Sequence, residues 1–180
     1  VATINTNSSG GTISGSTTVA STATITGFSI LSGGVATISG VDSASTIFAG
    51  GAETIVNGGG AVFDTVYGSQ IVASGGTATN DVVYGAVTVS GAATVTNTTL
   101  VNGGVLTLAT GKATEAGTLT MSGVDNQIVV GSLPSSATNG LPGRSRLLHA
   151  CHPRLVINSI NNIEIWQSST IQKSENSSAA

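Results

Sequence analysis

GAETIVNGGGAVFDTVY (residues 51–67), GSQIVASGGTATNDVVY (68–84), GAVTVSGAATVTNTTLVN (85–102) and GGVLTLATGKATEAGTLT (103–120) are four copies of one unit. Each copy has a short apolar strand, a turn of small residues, a second short strand and another glycine. Self-similarity at this period is the signature of a solenoid, in which each repeat stacks on the one before it.

The columns of the repeat carry the physics. Ile55, Val72, Val89 and Leu108 share one column, and Val66, Val83, Leu100 and Leu119 share a second; both are always aliphatic. The preceding residues are mostly threonine: Thr54, Ile71, Thr88 and Thr107 in one column, Thr65, Val82, Thr99 and Thr118 in the other. Successive strand residues point to opposite faces. The aliphatic columns therefore read as a stacked interior and the threonine columns as outward ladders. The turn column runs Gly58-Gly59, Gly75-Gly76, Ala92-Ala93, Gly111-Lys112. Glycine suits such a corner because it accepts positive φ and lets the chain pass closely.

Composition agrees. Only 7% of the 180 residues are charged and 3% aromatic. Val, Ile and Thr dominate, which favours strands and opposes disorder. Thin rungs filled by small aliphatic residues suit a chain so poor in large side chains. The formal net charge is −3. Without a basic stripe, nucleic acid is not expected as a partner. No apolar run is long enough to span a bilayer, so this segment is not expected to insert into a membrane. There is no initiator Met and no leader-like segment, so the chain reads as a processed or excised piece. The single Cys151 excludes an internal disulfide and is compatible with export.

Residues 1–50 follow a looser form of the same grammar, with glycine pairs at Gly10-Gly11, Gly33-Gly34 and Gly50-Gly51. Residues 123–132 end it with a strand expected through Ile128 and Val130. Composition then shifts. Residues 1–132 hold six acids and one Lys; residues 133–180 hold four basic residues, two acids, all three prolines, both histidines and the only Trp. SLPSSATNGLPG reads as a linker. LVINSINNIEIW reads either as strand, with Ile163 and Ile165 on one face, or as helix, with Val156, Ile160 and Ile163 in phase. The division is a repeat domain over 1–132 and a linker with an atypical tail over 133–180, read as a cap, a disordered end or an out-of-frame segment.

The stretch 72–113 resembles the AIDA-type repeat of bacterial autotransporter adhesins, V-x-x-G-G-x-A-x-x-T-x-V-x-x-G-G. Val72, Gly75, Gly76, Ala78 and Val83 match it, and Leu100, Gly103 and Gly104 match it again. The resemblance covers 51–122 well and 1–50 loosely. It implies a right-handed parallel β-helix passenger on the bacterial surface, carried through the outer membrane by a β-barrel that this sequence does not contain. It also implies a role in adhesion, self-association or biofilm.

Candidate chemistry is sparse. His149, Cys151 and His152 tempt a metal or nucleophile reading, but H-x-C-H is not a zinc spacing and no orienting partner is evident. An exposed, functionless tail is the plainer account. Asp64 and Asp81 lie one repeat apart, which stacks them on adjacent rungs about 5 Å apart. Such a pair suggests a weak cation site or the two carboxylates of a retaining glycosidase. The ladder ends at Thr98, and two solvated aspartates at strand starts is the preferred reading. Tyr67 and Tyr84 share another column and form the candidate contact for a glycan or protein partner, against the plainer reading of an aromatic ladder closing the strand end. Phe63, Asn80 and Asn97 form a column that reads as an asparagine ladder. Exposed threonine columns raise an ice-binding reading, weakened by Ile71, Val82 and the drifting period.

The expected fold is all-β, a parallel β-helix (β-solenoid) of about seven rungs at ~4.8 Å each, with a non-repeat C-terminal tail. The expected function is non-enzymatic: a surface adhesin or self-association passenger acting through repetitive Thr/Asn faces. Its expected partners are a second copy of itself or surface glycans, with no cofactor and no assigned metal. A structural spacer stalk is the alternative. A polysaccharide-active enzyme on the same fold would need Lys and Arg beside its acids, and residues 1–132 offer one Lys and no Arg.

Overall fold

The computed structural model describes residues 1–109 and 112–130, and the backbone of 154–157. Every strand pairing is parallel and joins one turn of the chain to the next, giving three sheets wound around a common interior. The first sheet has nine strands, from Ala2–Ile4 through Ala52–Ile55, Ser69–Val72 and Gln127–Val130 to Arg154–Ile157. The second and third sheets have seven each, represented by Gly60–Val62 and Thr65–Val66 in the central turn. The described chain is a β-solenoid of about seven turns.

The first aliphatic column is as expected. Thr54 pairs with Ile71, and Ile55 with Val72, then Val89 and Leu108. Ile55, Val72 and Val89 are completely buried, while Thr54, Thr88 and Thr107 on the opposite face are half-buried. The second column needs one correction. Leu100 pairs with Met121, not with Leu119. The rung from Thr99 to Thr120 spans more residues than its predecessors, so Leu119 instead falls above Thr98 at the corner, as the bond from the Thr120 amide to the Thr98 carbonyl shows. For the same reason Ala113, not Lys112, stands above Ala93, and Lys112 is exposed; Gly111 lies outside the described residues.

Corners repeat as faithfully as strands. Between the second and third sheets a residue in the left-handed region recurs in every rung: Gly10 (φ 66°), Gly27 (65°), Ala44 (55°), Phe63 (63°), Asn80 (59°), Asn97 (54°) and Gly117 (76°). The asparagine ladder read from sequence sits here, with Asn97 Nδ2 donating to Asn80 Oδ1 at 3.1 Å. Between the third sheet and the first, Gly34, Gly51, Gly68, Gly85 and Gly104 form a column. At Gly85 a Cβ would lie 2.1 Å from the Gly68 carbonyl oxygen and 2.6 Å from that of Tyr67. Here glycine is required by the close approach of backbone rather than by φ.

In the tail, Arg154–Ile157 pairs in parallel with Gln127–Val130, so Val156 belongs to a strand and not to a helix. The remaining tail readings, including Ile160, Ile163, Ile165 and the His149, Cys151, His152 group, lie outside the described residues.

Two substitutions test the register. Val72→Asp is expected to lose the ~1.5–3 kcal/mol of a buried aliphatic side chain and several more for an unpaired interior charge. Thr88→Asp, one residue out of phase, is expected to be tolerated. Equal losses of thermal stability in the two would contradict the placement. Gly85→Ala is expected to cost at least ~1–3 kcal/mol, because the clash is with main chain that cannot rotate away.

Candidate functional site

Outside the solenoid, the corner between the third and first sheets carries large apolar side chains on successive rungs. Leu31, Phe48, Tyr67 and Tyr84 occupy one column and are 37%, 42%, 45% and 36% exposed. Phe48 and Tyr67 stack with ring centroids 6.4 Å apart, and Tyr67 and Tyr84 with centroids 4.7 Å apart and planes 17° from parallel. The structure thus brings together the two sequence-nominated tyrosines and adds Phe48, one rung earlier. Phe48 is not evident from the period, because it stands 19 residues before Tyr67 and so falls off the 17-residue step that pairs the tyrosines. The in-register spacing of a parallel ladder holds such rings close to offset-stacking distance. Tyr67 has a ring on either side and Phe48 and Tyr84 each have one, so the outer edges and the phenol groups are what a partner meets.

Inside, the structure overturns one reading. Asp64 and Asp81 do stack on adjacent rungs, but they are not solvated: they are 0% and 3% exposed. The corner residue turns its side chain inward after the left-handed residue that precedes it. Each side chain there also serves the neighbouring rung's backbone. Ser45 Oγ accepts from the Phe28 amide at 3.0 Å, Asp64 Oδ1 from the Ser45 amide at 2.8 Å, and Asp81 Oδ1 from the Asp64 amide at 2.9 Å. Side-chain oxygens thereby satisfy amides that the strand ladder leaves without a carbonyl. Carboxylates so enclosed cannot reach a glycosidic bond in solvent, and the retaining-glycosidase reading falls on that ground.

Two further acids join them. Asp42, from the strand Val41–Ser43, lies between Ile25 and Ala61 in the interior column of the second sheet. Glu53, from Ala52–Ile55, lies between Ala36 and Gln70 in the interior column of the first. Both are completely buried, and one oxygen from each of Asp42, Glu53 and Asp64 lies within 4.8 Å of the others. Asp42 Oδ1 accepts from the Ser45 hydroxyl. The Gln70 amide nitrogen donates to Glu53 Oε2 and Asp81 Oδ2, both at 3.0 Å. A signal for these acids was present in the sequence: Glu53 stands two residues before Ile55 and so shares its inward phase.

Burial sets the protonation of the cluster. It raises Glu53 well above the usual carboxylate range, reinforced by the charges of Asp64 and Asp42. It raises Asp64 to about 9, with Asp42 and Asp81 adding repulsion. Asp81 is raised by burial to about 6, with the Gln70 and Asp64 hydrogen bonds opposing. Asp42 is raised by burial as well, although hydrogen bonds with Glu53 and Ser45 favour its charged form.

No family model matches the sequence, and no curated protein matches it. Among solved structures the chain is similar to a crystal structure of a TibC-catalyzed hyper-glycosylated TibA fragment, with 22% identity and a TM-score of 0.47 over 68% of this chain. The match spans 58% of that fragment, less than two thirds of its length.

The interior acids predict an unusual pH profile. Their folded pKa values exceed the unfolded ones, so the folded chain holds protons that the unfolded chain releases. In buffer free of divalent ions, stability is expected to be greatest at about pH 4 and below. It should fall as pH rises through about 6, where Asp81 ionises, and on towards about 9, where Asp64 does. Thermal midpoints from pH 4 to pH 9 measure this, and Asp64→Asn should flatten the upper part of the curve. A midpoint that climbs steadily with pH would contradict the burial.

Proposed function

We propose that the chain is a segment of a non-enzymatic surface adhesin, an autotransporter-type passenger that makes weak multivalent contacts along its shaft. The observation that carries this reading is the absence of charge outside. Among residues 2–109 the charged side chains are Asp42, Glu53, Asp64 and Asp81, and all four are interior. The outer surface of these rungs is largely Thr, Ser, Asn and Gly, with the Leu31–Phe48–Tyr67–Tyr84 stripe along one corner and exposed Val35, Val41, Phe63 and Ile71 elsewhere. Net charge normally keeps soluble proteins apart. Two such shafts can lie side by side without Coulomb cost, and each weak contact is multiplied by the repeat through avidity. The resemblance of 72–113 to AIDA-type repeats supports the same reading and a position on the bacterial surface.

The partner that fits best is a second copy of the chain, with surface glycans next. Beads carrying the protein are expected to clump, and free protein should compete. Clumping should change little between about 0.01 and 0.1 M salt, over which the screening length falls from ~30 to ~10 Å. Tyr67→Ser with Tyr84→Ser should weaken it while lowering the thermal midpoint only modestly, because both rings stack on the outer corner and not in the solenoid interior. Clumping that free protein does not inhibit would rule out self-association. Binding to a glycan panel without clumping would turn the aromatic stripe into a lectin-like site, and silence in both assays would leave a spacer stalk.

A further inference from the structure

We propose that the interior of the central rungs is a binding site for a hard divalent cation of the Ca2+ class, formed by the carboxylates of Asp42, Glu53 and Asp64 and the amide oxygen of Gln70. The inference rests on the interior geometry and is independent of what the outer surface binds.

The first argument is the state of the individual oxygens. With the carboxyls ionised, Asp42 Oδ2, Glu53 Oε1, Asp64 Oδ2 and Gln70 Oε1 are buried without a donor among the described residues. Their residues are 0%, 0%, 0% and 1% exposed, so bulk solvent does not serve them either. Unmet acceptors at this depth are costly, and each calls for a specific occupant. The second argument is that the partner oxygen of every carboxylate is held. Ser45 Oγ–H donates to Asp42 Oδ1, the Ser45 amide to Asp64 Oδ1 at 2.8 Å, and Gln70 Nε2 to Glu53 Oε2 at 3.0 Å. One oxygen fixed by the protein and the other left free is how outer contacts orient metal ligands.

Gln70 is the independent witness. Its amide nitrogen is committed to two carboxylates, Glu53 Oε2 and Asp81 Oδ2, which fixes the orientation of the group and leaves the oxygen as the free end. A neutral acceptor is thereby added to three acidic ones.

Charge and size select the ion. Residues 1–109 contain no Lys, Arg or His, so this part of the chain supplies no cationic side chain to offset the cluster. The donors are all oxygen, which suits hard ions and not zinc or copper. The three carboxylate oxygens lie within 4.8 Å of one another, a spacing that two Ca–O bonds of ~2.4 Å span. Second carboxylate oxygens or water would complete a coordination of six to eight. Because the cluster is enclosed, the ion enters as the rungs close and leaves only when they open.

The test uses the full 180-residue chain. It is unfolded in guanidinium with chelator and refolded at about pH 8 with either chelator or ~1 mM CaCl2, then freed of loose ions by gel filtration. Atomic emission is expected to find one calcium per chain after refolding with CaCl2. The thermal midpoint should rise by about 5–10 °C relative to the chelator sample. Asp64→Asn and Glu53→Gln keep the side-chain volume and remove one charge each. Both are expected to fold in chelator with a midpoint at or above that of the parent, and to show neither bound calcium nor the calcium-dependent rise. Asp125→Asn, on an exposed turn, should keep both. Wild-type protein that refolds without calcium and with an unchanged midpoint would overturn the proposal and leave protons as the occupants. Retention of calcium by both interior variants would also overturn it, by placing the ion elsewhere. Should either variant fail to fold, the wild-type stoichiometry and midpoint decide.

Discussion

The structure depends on parallel, in-register stacking at a fixed rise of ~4.8 Å per rung. Each residue stands above its counterpart from the previous turn, so the working unit is the column, not the residue. Aliphatic columns bury side chains that would be too small to build an ordinary core. The same constraint stacks Tyr67 on Tyr84 and links Asn80 to Asn97. It also forbids a Cβ at Gly85, where the preceding turn of backbone, at Tyr67 and Gly68, occupies the space a side chain would need. A column tolerates variation only in side chains that fit the same spacing. That is why Ile55, Val72, Val89 and Leu108 exchange freely while the corner glycines do not.

Alternation and period made most of this architecture legible. The Ile55 column, its threonine-rich reverse face, the Asn80 and Asn97 corner and the Tyr67–Tyr84 column all follow from repeat spacing alone. Leu119 was misplaced because rung length is set by loops. Between Leu100 and Met121 the chain takes extra residues at successive corners, and a fixed period carries no knowledge of where they go. The acids were misread for a different reason. Asp64 and Asp81 were judged by residue type, and a charged side chain normally belongs in water. Phase said otherwise. Glu53 alternates with Ile55, and Asp64 and Asp81 precede the outward residues of the next short strand by one position. In a chain with so few charges, the side on which each one falls is informative, and phase decides that side better than polarity does.

Placing the acids inside changes what each surface can do. The exterior of the central rungs is left neutral, so a lateral contact there would meet no charge repulsion. The interior carries the electrostatic problem instead. It is eased locally by Ser45, Gln70 and backbone amides, which each hold one oxygen of a carboxyl pair. Desolvation and mutual repulsion explain why Asp64 is raised to about 9 and Asp81 only to about 6. Asp81 faces fewer acids and has hydrogen bonds to both of its oxygens.

A repetitive solenoid also faces a problem of register. Looping out one whole repeat would bring Val89 above Ile55 in place of Val72, an exchange of one buried valine for another that costs the aliphatic columns little. The threonine ladders would be equally indifferent. The interior polar group is not. Asp64 caps the amide of Ser45, Asp81 caps that of Asp64, and Gln70 bridges Glu53 and Asp81, and each partner occurs once in the described chain. Skipping the rung that holds Gln70 and Asp81 would put Val87 above Glu53 and Thr98 above Asp64, stripping the Glu53 carboxyl of its Gln70 hydrogen bond and the Asp64 amide of its Asp81 cap. Leaving a buried donor or acceptor without its partner costs ~1–3 kcal/mol for each group, more than a swap between aliphatic residues of similar volume. The cluster therefore adds to the central rungs what their apolar columns lack: a unique stacking order, set where neighbouring repeats are otherwise most alike.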